Sequence, residues 1–174
     1  GSTGAPHAFN AEKRRMETSA QTTIKALHLS PGNTALLCLP VNHIAGKMMV
    51  VRSIIGGLNL IIRKPTSRPL KGLRKAPHFA AMTPMQVCES LCHTKDKRLL
   101  RAIHTLLIGG GPISPTLYEV LKDFPGEVWC SYGMTETLSH IALQRINGKD
   151  ASLGYIPLEG VNVQLSENGC LVID

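Results

Sequence analysis

Apolar and polar positions along this chain change rhythm repeatedly, and each change predicts an element. Residues 11–27, "AEKRRMETSAQTTIKAL", have helix-forming character and end at a Ser-Pro-Gly-Asn turn over 30–33, which predicts a helix. "TALLCLP" (34–40) is a short apolar run that suits a strand buried on both faces. A helix follows over much of 45–55 and stops at Gly56-Gly57, and "LNLIIR" (58–63) is the next strand. Beyond a basic, proline-punctuated connection, "HFAAMT" (78–83) predicts another strand. Thr83 then caps a helix, with Pro84 in its first turn and Gln86 three residues after the cap. "HTLLIGGGPIS" (104–114) reads as a strand and a glycine turn, and Ser114-Pro115 opens a helix ending near Phe124. "EVWCSYG" (127–133) is a strand running into a loop.

Strands alternating with helices in this way predict an α/β fold, a mixed, largely parallel sheet flanked by helices. Ligands in such sheets gather beyond the carboxyl ends of strands. His43, "GGGP" (109–112) and "YGMTE" (132–136) all fall just after predicted strands. After Asn147-Gly148 the rhythm changes: "VNVQLSENGCLVI" alternates around Glu167-Asn168-Gly169, a hairpin signal that predicts the start of a small β subdomain. The expected division is therefore an α/β core over 1–147 and the opening of a β subdomain over 148–174. The chain stops at Asp174 directly after a strand, which would leave a sheet edge raw, so truncation is expected rather than a completed domain.

Composition narrows the classes. A hydrophobic content of 43% with 18% charged residues is that of a globular protein and argues against wholesale disorder. No apolar run reaches membrane-spanning length and no signal-peptide pattern opens the chain, so a cytoplasmic protein without membrane insertion is expected. The net charge of +7 owes much to "RKPTSRPLKGLRK" (63–75) and favours anionic partners such as nucleotides or coenzyme A, unless this segment is only a solvated loop. Aromatic residues make up only 4%, which gives base stacking on nucleic acid little support, so no nucleic-acid partner is expected. The five cysteines are scattered and odd in number; Cys88, Cys92 and His93 lack a second ligand pair, and reduced core thiols are the expected state.

Three stretches carry candidate chemistry, each with a plain alternative. In "SYGMTETLSH", Tyr132 offers a face to a purine, Gly133 lets the backbone approach, Thr135 offers a hydroxyl to phosphate and Glu136 a carboxylate to Mg2+. Alternatively, Thr135 simply caps a helix. The triple glycine of "LLIGGGPISP" makes room for a flat ligand or a neighbouring backbone; it fits neither a dinucleotide fingerprint nor a P-loop. The opening Gly1-Ser2-Thr3-Gly4 is either a phosphate-cradling loop or a cloning remnant.

Taken in order, "GSTGAPH", "LPVNHIAG", "LLIGGGPIS", "YGMTET" and "GYIPLEGVNV" resemble the adenylate-forming acyl-/aryl-CoA synthetase superfamily over essentially the whole chain. The resemblance implies ATP, Mg2+ and coenzyme A as cofactors and co-substrates: an acid is adenylated, then passed to the CoA thiol. It implies that Ser2, Thr3 and Gly4 grip the β/γ-phosphates and that Gly109, Gly110, Gly111 and Pro112 form the adenine wall. It further implies that Tyr132 stacks on adenine within a loop including Gly133 and Met134, Thr135 contacts the α-phosphate, Glu136 binds the metal, and His43 lines the acyl pocket. The bland alternative for His43 is a helix-capping histidine. His7 stands where the superfamily pattern has Lys or Arg, and the chain ends before the mobile C-terminal domain with the adenylation lysine.

"LPVNHIAGKMMVVRSIIGGLNLIIR" is most similar to the o-succinylbenzoate–CoA ligases of bacterial menaquinone biosynthesis, whose substrate is an aryl acid with two carboxylates. Arg52, one turn beyond Met48-Met49, either faces that pocket and holds the carboxylate that does not react, or is a surface arginine. Another acyl- or aryl-CoA synthetase, a peptide-synthetase adenylation domain and a non-catalytic nucleotide-binding module stay open as alternatives, and so does a homo-oligomer.

Overall fold

A computed structural model of the chain describes residues 10–174. The phosphate-loop expectation for Ser2, Thr3 and Gly4, and the departure at His7, lie outside the described residues.

Five parallel strands form the centre: β1 (Thr34–Leu37), β2 (Asn59–Ile62), β3 (Phe79–Met82), β4 (Thr105–Ile108) and β5 (Glu127–Gly133). Two antiparallel strands, β6 (His140–Arg145) and β7 (Ile156–Pro157), extend the sheet, giving the order β2-β1-β3-β4-β5-β6-β7. A separate antiparallel pair, β8 (Val163–Leu165) and β9 (Leu171–Ile173), follows at the C-terminal end as the 167–169 hairpin signal predicts. The sheet is thus mixed and mostly parallel. The short β7, from beyond residue 147, joins the main sheet rather than the small one.

Helices cover both faces. On one side lie α1 (Lys13–Ala26) and α2 (Ile44–Ile55), over a core containing Leu27, Met49, Ala35, Leu37, Phe79, Ala81 and Leu107. On the other lie α3 (Pro84–Leu91), α4 (Thr94–Arg101) and α5 (Pro115–Lys122), over Leu36, Cys38, Ala80, Met82, Leu106 and Ile108. Ala35-Leu36-Leu37-Cys38 therefore sends alternate side chains into opposite cores, which is why "TALLC" is apolar without a break. Burying a side chain such as Leu36 or Phe79, both 0% exposed, stabilises the fold by about 1.5–3 kcal/mol each.

The helix starts follow the sequence closely. Thr83 accepts from the Gln86 N–H while the Gln86 side chain accepts from the Thr83 N–H, a reciprocal cap ahead of Pro84. Ser114 caps α5 by accepting from Leu117 N–H. The cysteines need a correction: Cys38 and Cys130 are buried, but Cys88, Cys92 and Cys170 are exposed. Cys88 in α3 and Cys92 at its C-cap are four residues apart and both exposed, while Val87 and Ser90 face the core. Among the described residues there is no cluster of potential metal-ligating side chains, and no helix is long and apolar enough to cross a membrane.

Candidate acid and nucleotide site

The strand order places a switch point between β1 and β3: one connection leaves β1 toward β2, the next crosses back to β3. A crevice opens there, beyond the carboxyl ends of the strands. It holds a cavity of about 270 Å³ lined by Leu39 after β1, Ala81–Thr83 at β3, Leu107, Gly109 and Gly110 at β4, and Ser131 and Gly133–Thr135 at β5. Ile44, Ala45 and Arg52 close it from α2, and Ser139 and His140 from the start of β6.

Two glycines let the walls meet. A β-carbon at Gly109 would run into Ser131 Oγ, and one at Gly133 into the backbone of Ser139 and His140. A third glycine, Gly46, lets the first turn of α2 settle on the Pro40 carbonyl, bringing Ile44 and Ala45 to the cavity. Gly110 adopts φ +79°, a conformation open to glycine at little cost.

The segment between β5 and β6 is a tight turn rather than a helix, so Thr135 does not act as a helix cap. Thr137 Oγ1 lies 3.0 Å from both Met134 N and Met134 O and 2.8 Å from Ser139 O. Leu138 is held at φ +64° with its side chain buried. A bulky residue in the left-handed region costs on the order of 1–3 kcal/mol, and such strain concentrates at functional turns.

Arg52 is the structure's clearest departure from a surface residue. It is 3% exposed and lines the cavity; Nη2 donates to Ser139 Oγ at 2.5 Å, and Nε–H has no partner among the described residues. Burial pulls its guanidinium down to about 10, which still leaves it charged at neutral pH. Among the described residues no carboxylate side chain lines the cavity with it. Beside it, burial and then the charge of Arg52 push His140 down to about 3, so its ring is neutral.

The other expected site residues are divided. Gly109, Gly110, Gly133, Met134 and Thr135 line the cavity with Arg52. His43 occupies the N-cap position of α2 but is exposed; its side chain makes no cap hydrogen bond, and Ile44 and Ala45 are the residues that reach the cavity. Gly111 and Pro112 are not among the lining residues, nor is Tyr132. Tyr132 packs near Tyr155 with ring centroids 5.7 Å apart, tilted by 54°, and Tyr155 OH lies 2.8 Å from Cys130 Sγ. Alternation along β5 explains this: Ser131 and Gly133 face the cavity, while Cys130 and Tyr132 face the other side of the sheet.

Glu136 lines a second hollow of about 630 Å³ bounded by α1, the turn and the C-terminal segment, whose lining also holds Arg14 and Arg15 and the carboxylates of Glu12, Glu159 and Asp174. It is exposed and forms no ion pair among the described residues. Ser139 and His140 are site residues the sequence reading missed. The only sequence signal was their place directly after "YGMTETL".

Comparison with known proteins decides the family. A model described as AMP-binding enzyme matches residues 1–170. The chain belongs to this family. A curated 2-succinylbenzoate–CoA ligase of Salmonella typhimurium is 27% identical over 97% of the chain and 35% of its own length. The acyl-CoA synthetase (AMP-forming)/AMP-acid ligase II-like protein of Dyadobacter fermentans superposes with a TM-score of 0.93 at 40% identity, over 99% of this chain and 50% of that one. The o-succinylbenzoate coenzyme A synthetase of Bacillus subtilis, solved with ATP and magnesium ion, has a TM-score of 0.76 at 21% identity, over 99% and 37%. That last likeness shows the shared fold. The chain spans about a third of the length of the curated relative it matches.

Proposed function

We propose that this chain carries the acid pocket and the adenine side of an acid–CoA ligase, a cytoplasmic enzyme that adenylates an aryl carboxylate with ATP and transfers it to coenzyme A. The acid we infer is o-succinylbenzoate, as in menaquinone biosynthesis. The observation that carries the reading is Arg52: a buried, charged guanidinium on a cavity wall that, among the described residues, offers no carboxylate of its own. Burying a charge without a charged partner costs several kcal/mol, roughly, unless a ligand supplies the partner. An acid with a second, non-reacting carboxylate supplies it, and a planar guanidinium suits that group.

The remaining roles follow the crevice. Thr135 turns its hydroxyl to the α-phosphate at the cavity mouth, and His43 stands at the entrance of α2 near the adenylation centre. Gly109, Gly110, Gly111 and Pro112 border adenine, and Tyr132 stacks on it with Tyr155 behind. Ser2, Thr3 and Gly4 grip the outer phosphates. Glu136, a carboxylate without an ion pair among the described residues, fits Mg2+, which takes one or two carboxylates together with substrate phosphates. When bound, the ion supplies charge stabilisation to phosphate oxygens. The chain's own residues hold the acid's carboxylate in line, keep water out of the crevice and present fixed hydroxyls and N–H groups to developing charge.

Calorimetry with o-succinylbenzoate and MgATP tests this: binding of the acid that Arg52→Ala weakens about tenfold or more supports it, since a charge-assisted pair is lost. Affinity independent of Arg52 contradicts it. A second reading, a simple acyl acid without a distal carboxylate, is favoured by the 40% identity to an acyl-CoA synthetase-like protein and by the apolar Leu39, Ile44 and Met82 in the wall. A panel of acids with and without the distal carboxylate separates the two.

A further inference from the structure

The hydrogen bonds around Arg52 leave one way to place the protons. Thr23 Oγ1 donates to the Ser19 carbonyl at 2.9 Å, so toward His140 Nε2, 3.0 Å away, it accepts. Nε2 then carries the ring hydrogen, and Nδ1 of a neutral ring is an acceptor. Ser139 Oγ lies 3.4 Å from Nδ1 and already receives Arg52 Nη2–H, so its own hydrogen is directed to the ring. Donation runs one way, from Arg52 through Ser139 and His140 to Thr23 and the α1 backbone. A second ring proton would reverse the Ser139 hydroxyl and set a cation beside Arg52, and the depressed ring basicity agrees with this.

We infer that His140 is a positioning residue for the acid site: as the neutral Nε2–H tautomer it orients the Ser139 hydroxyl, which fixes Arg52 on the cavity wall as the sole positive charge there among the described residues. This rests on reading the cavity as the acid pocket. The selectivity follows from charge counting. Among the described residues the lining contains one cation, a neutral imidazole and no carboxylate, so it accepts one carboxylate besides the reacting one. Thr23, 117 positions before His140, ties this arrangement to α1, which does not itself line the cavity.

Two measurements test it. Nitrogen NMR of histidine-labelled protein reports tautomers directly; His140 is expected as Nε2–H with an unprotonated Nδ1 from about pH 5 to 8, where ordinary histidines titrate. An Nδ1–H or charged ring in that range overturns the inference, whatever acid the protein binds. The second compares binding of o-succinylbenzoate with its distal methyl ester. His140→Phe and Ser139→Ala should each cost the free acid about tenfold, the scale of one charge-assisted contact, and leave the ester unchanged. His140→Asn, which keeps an acceptor near the Nδ1 position, should retain most of the affinity. Equal losses for acid and ester in Ser139→Ala, which leaves the ring in place, would mark the residues as structural and overturn the inference. Wild-type protein that binds acid and ester alike sinks the acid-pocket reading instead, and the NMR result then judges the hydrogen-bond chain alone.

Discussion

Ser131 Oγ occupies the space that a β-carbon on Gly109 would need, so strands β4 and β5 close against each other at the cavity edge through a missing side chain. Ser131 Oγ also donates to the Ile108 carbonyl at 3.2 Å, which holds it there. Gly109→Ala is therefore expected to destabilise the chain by about 1–3 kcal/mol, the usual cost of overpacking. Ser131→Ala removes the obstructing oxygen, and the double variant should recover most of that loss. Urea unfolding of the two single variants and the pair provides the cycle; strict additivity would contradict the contact.

Gln86 is expected to be among the most sensitive polar positions. Its amide nitrogen donates to Cys38 O at 3.1 Å and Thr66 O at 2.9 Å, while its oxygen accepts from Thr83 N–H. One side chain thus joins the end of β1, the basic connection and the start of α3. Gln86→Leu leaves the carbonyl of the buried Cys38 unpaired and should cost about 2–4 kcal/mol by denaturant unfolding, about 1–3 for that group and about 1 for the part-exposed bonds to Thr66 and Thr83. Thr83→Ala, which loses only a cap, should cost about 1 kcal/mol.

Much of this was legible because local chemistry and global packing agree. Thr83-Pro84 with Gln86 and Ser114-Pro115 announce helix starts, and the unbroken apolar runs announce strands buried on both sides. Helix α4 escaped because "TKDKRLLR" is mostly charged and its periodic signal rests on few residues; Asp96 is buried through its ion pair with Arg68, 3.0 Å away. Strand β6 escaped because His140 and Gln144 interrupt its apolar alternation, and its pairing comes from β5 rather than from its own propensity. Arg52 could be placed one turn past Met48-Met49, but its burial depends on Ser139, which lies 87 positions away. Such a contact is set by topology, and no local pattern encodes it.

Arg52 is expected to trade stability for binding. Arg52→Met keeps the side-chain volume and removes a buried charge whose Nε–H has no partner among the described residues. Replacing buried charges with apolar groups is often neutral or stabilising by about 1–4 kcal/mol. The midpoint of denaturation should therefore stay or rise while acid binding falls. A large fall in the midpoint would mean that the guanidinium serves the fold.

His140 should leave a pH signature on stability. Its folded-state basicity lies near 3 and its unfolded value near 6.5, so the unfolded chain binds the extra proton first. The contribution is fully present above pH 6.5 and is lost as pH falls toward 3, by up to about 1.4 kcal/mol per pH unit. His140→Asn should flatten this part of the stability profile relative to the parent. A profile unchanged by the substitution would contradict a buried neutral ring.

A crystal structure with a non-hydrolysable o-succinylbenzoyl adenylate mimic tests the central claim most directly. The acid arm should fill the cavity between α2 and the ends of β3–β5, with its free carboxylate within hydrogen-bonding distance of Arg52 and its adenine against Tyr132. A ligand that leaves Arg52 unpaired, or that binds outside this crevice, would contradict the account.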